Sequence, residues 1–223
     1  MRFITLILTL CLSLSVSAEP LLIAAGAGYR KPLMAIYDAF TQSSGTRVEA
    51  VFGNMQQVLA QTRDSGRVDL VVGEQAFLGT GRLVLAYGAR RLSGYQALTD
   101  PQVERIALPD PQKAIYGQAA TQFLERSGLM PSVKDRLMTL ATVPQVSAYL
   151  VAGTVDAGFI NITDALGLAD KLAGFDEIPI DLYDPPVIVL AFPKDRPESE
   201  AARAFAAFLG SAEARTILTR YGL

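Results

Sequence analysis

The chain has no histidine and a single cysteine, Cys11. The groups left to do chemistry are amides, phenols, a few lysines and the backbone itself. Five strand-to-helix turns carry small or polar residues. They are Gly26-Ala27-Gly28-Tyr29, Gly53-Asn54-Met55-Gln56, Pro109 to Tyr116, Thr142 to Ser147 with Gln145 inside it, and Asn161-Ile162-Thr163. A helix start presents unpaired N–H groups and a partial positive charge, worth about 0.3–1 kcal/mol toward an anion at an exposed site. Several such starts converging in a cleft hold an oxyanion without any arginine. Gly26 and Gly28 let the backbone come close to a ligand. Lys113 stands at a helix start, where lysine is mildly disfavoured; it is either a cation beside the ligand or a solvated lysine. Asn161 is either an amide donor to the anion or the N-cap of the helix after it. Tyr29 and Tyr116 offer phenol hydroxyls or fill the core.

The same inventory excludes a good deal. Without histidine there is no Ser-His-Asp triad and no Cys-His nucleophile. Zinc, copper and haem sites are disfavoured for want of imidazole and thiolate. Gly26-Ala27-Gly28 is not a dinucleotide fingerprint, because Lys31 occupies the place of the third glycine. No Walker A pattern occurs. Asp156, Asp164, Asp181 and Asp184 lack the spacing of a calcium loop and read as surface residues and caps. No cofactor, resident metal or catalytic residue is therefore expected, and an enzyme working through carboxylates or a lysine is the weaker reading.

Residues 1–18 read as a secretory signal peptide. Arg2 opens it, and the apolar run Phe3 to Val16 is too short for a span of about 20 residues. Val16-Ser17-Ala18 supplies a small-residue cleavage site. Its removal, expected on passage to the periplasm, takes Cys11 with it, so disulfides are excluded. It also takes Arg2, leaving 19 basic residues of the original 20 against 22 acidic ones, a net charge of −3. That balance speaks against a nucleic-acid partner. The remaining 205 residues of 223 suffice for one large domain or two small ones.

The elements that must position these turns alternate. Leu21 to Ala25 is a strand, Pro32 opens a helix bearing Leu33, Ile36, Tyr37 and Phe40 on one face, and Ser43-Ser44-Gly45 stops it. Val48 to Phe52 is a strand, Met55 to Arg63 a helix, and Val68 to Val72 a strand ending at Gly73. This βαβαβ order predicts a parallel sheet covered by helices. Strands follow at Leu83 to Tyr87, Arg105 to Leu108, Leu137 to Thr142, Ala157 to Ile160, Glu177 to Ile180 and Val187 to Phe192. Helices follow around Tyr116 to Arg126, from Pro144 through Val151, at Thr163 to Leu168, and from Glu198 to Tyr221 with a break near Gly210-Ser211. Leu83 to Tyr87 and Val187 to Phe192 are uniformly apolar. They suit either hinge strands joining two lobes or two interior strands of one continuous sheet.

Ordered blocks along the chain resemble the periplasmic molybdate-binding proteins of ABC importers. Val68-Asp69-Leu70-Val71-Val72 is similar to that family's "ADLFISA" strand, and Ala114 to Ala120 to its "GIYAKEAL" helix. Gly153 to Asn161 is similar to its segment ending "LGIVY", and Ala212 to Leu223 to its closing "AAEIFKRYGF". The resemblance implies an α/β, two-lobed periplasmic binding protein of type II-like fold. Each lobe would be a mostly parallel sheet flanked by helices, with two hinge crossovers. Lobe 1 would comprise residues 19–84 and 190–223, and lobe 2 residues 85–189. It implies a tetrahedral oxyanion, molybdate or tungstate, in the interlobe cleft, an inner-membrane ABC permease as partner, and a monomer.

Carried over by position, the family's first serine falls near Ala27 or Gly28, with Tyr29 following, and its second near Asn54 or Met55. Its backbone donors fall at Lys113 and about Gln145, and its tyrosine at Asn161. The missing hydroxyls mark a divergent member. The alternative is a periplasmic sensor or accessory subunit for another small anion or polar ligand.

Overall fold

The computed structural model describes residues 19–194 and 196–223, of which residues 73–78 are described by their backbone alone; the expected signal peptide, residues 1–18, lies outside them. Strand β1 (Leu21–Gly26) pairs in parallel with β2 (Val48–Gly53) on one side and β3 (Leu70–Thr80) on the other. Helix α1 (Arg30–Ser44) connects β1 to β2, and α2 (Met55–Ser65) connects β2 to β3. Both helices end on glycines in the left-handed region, Gly45 and Gly66, where a side chain would be strained. The sheet is completed by β9 (Val187–Ala191), antiparallel to β3, giving the order β2-β1-β3-β9.

The second sheet has the order β6-β5-β7-β4-β8. Its strands are β4 (Leu83–Tyr87), β5 (Ile106–Pro109), β6 (Leu137–Leu140), β7 (Ala157–Asn161) and β8 (Gly174–Glu177). β5 runs parallel to β6 and β7, while β4 runs antiparallel to β7 and β8. Each sheet thus has one strand against its parallel grain, and both are mixed. The helices of this lobe are α3 (Ile115–Arg126), α4 (Met130–Val133), α5 (Val143–Val151) and α6 (Ile162–Leu166). After β9 the chain returns to the first sheet as α7 (Glu200–Leu209) and α8 (Ala212–Arg220), each capped by a serine, Ser199 and Ser211. Among the described residues no helix is long and apolar enough to cross a membrane.

The two uniformly apolar runs belong to different sheets, so one continuous sheet is ruled out. All five residues of β4 are buried, as are those of β7 beside it. The chain passes between the sheets at Gly81-Arg82 and again just before β9. The two crossings touch, Gly81 N–H donating to the Pro186 carbonyl at 2.7 Å.

Two expectations shift. β3 does not stop at Gly73 but continues to Thr80, with register shifts between Gly73 and Phe77 and between Phe77 and Gly79. Its partner β9 lies far along the chain, and bulged pairing leaves no local period to read. The strand expected at Glu177 to Ile180 lies earlier, at Gly174–Glu177, and Ile180–Leu182 is a 3₁₀ turn. Pro179 between them has no N–H to give the ladder.

The core is continuous through both lobes. Around α1, Phe205 lies 5.7 Å from Tyr37 and 5.2 Å, edge-on, from Phe40, clamping α7 onto the sheet. A smaller cluster of Ala24, Val58, Val68 and Val71 lies beneath α2.

Candidate functional site

A cavity of about 40 Å³ lies between the lobes, beyond the carboxyl ends of β1, β2, β5 and β6, where open α/β sheets place ligands. Its walls are Gly26 to Tyr29, Gly53 to Met55, Ala114 to Tyr116, and Thr142-Val143. At about 10–15 Å³ per water it has room for roughly three. Pockets for drug-sized ligands run to about 300 Å³ and more, so the cavity as it stands is too small for a nucleotide-sized ligand.

Four chain segments reach the cavity as helix starts. At the first, a 3₁₀ turn over Ala27–Tyr29 leads into α1 with no side-chain cap. At α2 the cap is reciprocal: Gln57 N–H donates to Asn54 Oδ1 at 3.0 Å, and Asn54 N–H donates to Gln57 Oε1 at 3.2 Å. The N–H groups left by position are those of Met55 and Gln56. At α3 the cap residue Ala114 has no hydrogen-bonding side chain, its own N–H donates to the Asp110 carbonyl, and the N–H of Gly117 donates to its carbonyl. Ile115 and Tyr116 N–H are left at the cavity. At α5, Thr142 Oγ1 accepts from Gln145 N–H, Pro144 has no N–H, and Val143 supplies the remaining donor.

Electrostatics point the same way. None of α1, α2, α3 and α5 carries an acidic residue in its first turn. The remote helices α7 and α8 do, Glu200 and Glu213. An acid normally stabilises a helix start; these four have none, so their partial positive charge is not offset within the first turn. Among the described residues no ionised side chain lines the cavity. Tyr116, buried against it, has its phenol pushed well above the usual value by burial, so it stays protonated. Tyr29 hydroxyl donates to Tyr116 hydroxyl at 3.1 Å, joining the two lobes.

The eight residues singled out from the sequence do not all meet. Ala27, Gly28, Tyr29, Asn54 and Met55 line the cavity together. Asn161 is fully buried beside it with its amide already engaged: Oδ1 caps α6 by accepting from Asp164 N–H, and Nδ2 donates to the Gly28 carbonyl at 2.8 Å. Thr163 Oγ1 donates to the same carbonyl at 3.0 Å. Lys113 is not among the lining residues; its ammonium, on a half-exposed side chain, lies 3.2 Å from Asp110. The Asp110 carboxyl is held below its ordinary value chiefly by the Gln112 N–H, with Lys113 adding to it. Gln145 is also off the wall, its Oε1 accepting from Ala141 N–H.

Val143 and Ile115 also line the cavity; their side chains carry no chemical signal in the sequence, although both lie in turns rich in small or polar residues. Asp164, expected from the sequence to be a surface residue or cap, is neither exposed nor a cap. Asp164 is buried, accepts from the Ser147 hydroxyl, and pairs with Lys31 of the other lobe. Nothing local in the sequence shows that pairing. Among the described residues no group of histidine, cysteine or acidic side chains is arranged to hold a metal ion.

Comparison with known proteins adds the family context. Residues 21–223 match a family model described as bacterial extracellular solute-binding protein. The molybdate-binding protein ModA of Rhodobacter capsulatus is 26% identical over 236 residues, covering 97% of this chain and 93% of that protein. The periplasmic molybdate-binding protein of Azotobacter vinelandii superposes with a TM-score of 0.83 at 22% identity, covering 91% of this chain and 97% of the other. The sulfate-binding protein SubI of Mycobacterium tuberculosis superposes with a TM-score of 0.73 at 14% identity, covering 91% and 85%.

Proposed function

The chain belongs to the bacterial extracellular solute-binding protein family, and from that premise we propose that it is the substrate-binding protein of an ABC importer, holding a tetrahedral oxyanion of the molybdate and tungstate kind. The observation that carries this reading is the meeting of four acid-free helix starts at one small cavity without ionised side chains. In this reading the backbone N–H groups at the helix starts supply the donors. Charge-assisted hydrogen bonds contribute about 1.5–3 kcal/mol each, so a handful offsets the loss of the anion's water. An anion too large for the cage, or one that leaves donors unpaired, is rejected by the cost of burying unmatched polar groups.

In this reading residues 1–18 are removed on export, and the lobes, one built on each sheet, close over the anion about the crossings at 81–82 and 183–186. The loaded form then docks on an inner-membrane permease. Isothermal titration against molybdate, tungstate, sulfate, phosphate and a small carboxylate tests the ligand. Binding of molybdate or tungstate well ahead of the rest is expected. A heat signal from the carboxylate alone, or from none of the five, would overturn the assignment.

A further inference from the structure

Lys31 and Asp164 face each other from different lobes, Nζ to Oδ1 3.2 Å, and neither lines the cavity. Lys31 lies in the first turn of α1, and Asp164 in α6. Asp164 is 6% exposed, and its other oxygen accepts from the Ser147 hydroxyl on α5. The lysine lies flat across the end of α6, where Gly167 leaves it room: a Cβ there would stand 2.5 Å from Lys31 Cδ. Three positions and one position before Asp164, Asn161 and Thr163 donate to the Gly28 carbonyl. The carboxylate is therefore deep in the lobe interface only while the lobes are together. Parting them returns both charges to water; closing them without the cation leaves a buried charge unpaired, which is costly. The pair thus acts on the closed form and not on the open one, and a difference of that kind is what shifts a conformational equilibrium.

We propose that Lys31 and Asp164 are positioning residues that latch the lobes shut and so set how long the bound anion stays. The latch rests on the reading that the interlobe cavity is the ligand site, and its test has an arm free of ligand. In the whole chain carrying Cys11→Ser, spin labels go on Gln61→Cys in α2 and Glu125→Cys in α3, both exposed and on opposite lobes. Interlobe distances are measured by electron resonance without ligand and with molybdate. Lys31→Met should move the ligand-free distribution to longer distances, and Lys31→Arg should restore it. In stopped flow, Lys31→Met should release molybdate about tenfold faster with the association rate little changed. Asp164→Asn combined with Lys31→Met should cost less than the sum of the two. Equal distance distributions for parent and Lys31→Met would overturn the latch. A parent that fails to bind molybdate counts against the proposed ligand, and the distance arm still decides the latch.

Discussion

At Met55 and Gly28 one side chain separates binding from folding. Met55 is the first residue of α2 and lines the cavity. Met55→Glu places a carboxylate where the helix start would favour it by about 0.3–1 kcal/mol, so the melting temperature without ligand should hold or rise. The same carboxylate occupies the anion's place, and oxyanion binding should vanish in titration calorimetry. If Met55→Glu binds molybdate like the parent, the anion does not sit at this helix start. Gly28 tests the opposite wall: a Cβ there would lie 2.8 Å from Asn161 Nδ2 and 3.5 Å from Val143 Cβ, both on the other lobe. Gly28→Val should therefore hold the lobes apart and weaken binding at least about tenfold, with little change in circular dichroism. The turns at Gly26, Gly53, Pro109 and Thr142 stood out in the sequence because small residues, prolines and caps are local signals. What each side chain faces across the cleft is not local. Asn161 reads from the sequence as either cap or donor, and the structure uses both ends of its amide at once, on α6 and on Gly28.

The elements were legible where one period held over a whole segment. The opening β-α-β-α-β run and the break between α7 and α8 at Gly210-Ser211 follow from hydrophobic spacing and stop residues. Segments held by distant partners were not. The stretch around the 3₁₀ turn Tyr95–Thr99 is fixed by the guanidinium of Arg136, which donates to the carbonyls of Leu98, Asp100, Val103 and Ser132. No period in that stretch encodes an arginine some 35 positions away. The packing of α7 on α1 is the element-scale contact most open to measurement. Phe205 is fully buried between Tyr37 and Phe40, and truncating such an aromatic costs about 3–5 kcal/mol. Phe205→Ala should lower the denaturation midpoint accordingly, while molybdate added in excess restores part of it by mass action. A midpoint within experimental error of the parent would mean that α7 contributes nothing to holding the first lobe.

For the whole molecule, the buried phenols make stability depend on pH at the alkaline end. Tyr37, Tyr87, Tyr116 and Tyr183, four of the eight tyrosines, have phenols raised above the ordinary 10.0, in each case chiefly by burial. A group raised in the folded state contributes stability that is complete below its unfolded value and is lost as pH climbs toward the folded one. Melting temperatures should thus hold up to about pH 9 and fall beyond 10, with the late tyrosinate absorbance appearing together with unfolding. Eight tyrosines titrating near 10 in an intact fold would contradict the burial. The path of β9 has another consequence, for the order in which the protein comes into being. Val71 pairs with Ala191, 120 positions later (191 less 71), whereas the strands of the second sheet all lie between Leu83 and Glu177. A chain made from its N-terminus can finish the inserted lobe while the first lobe, begun earlier, still waits with the edge of β3 bare. Contacts between distant segments form slowly, and a bare strand edge invites other chains. The oldest part of the chain is thus the last to mature, and in a nascent or truncated protein the unpaired β3 edge is where self-association would start.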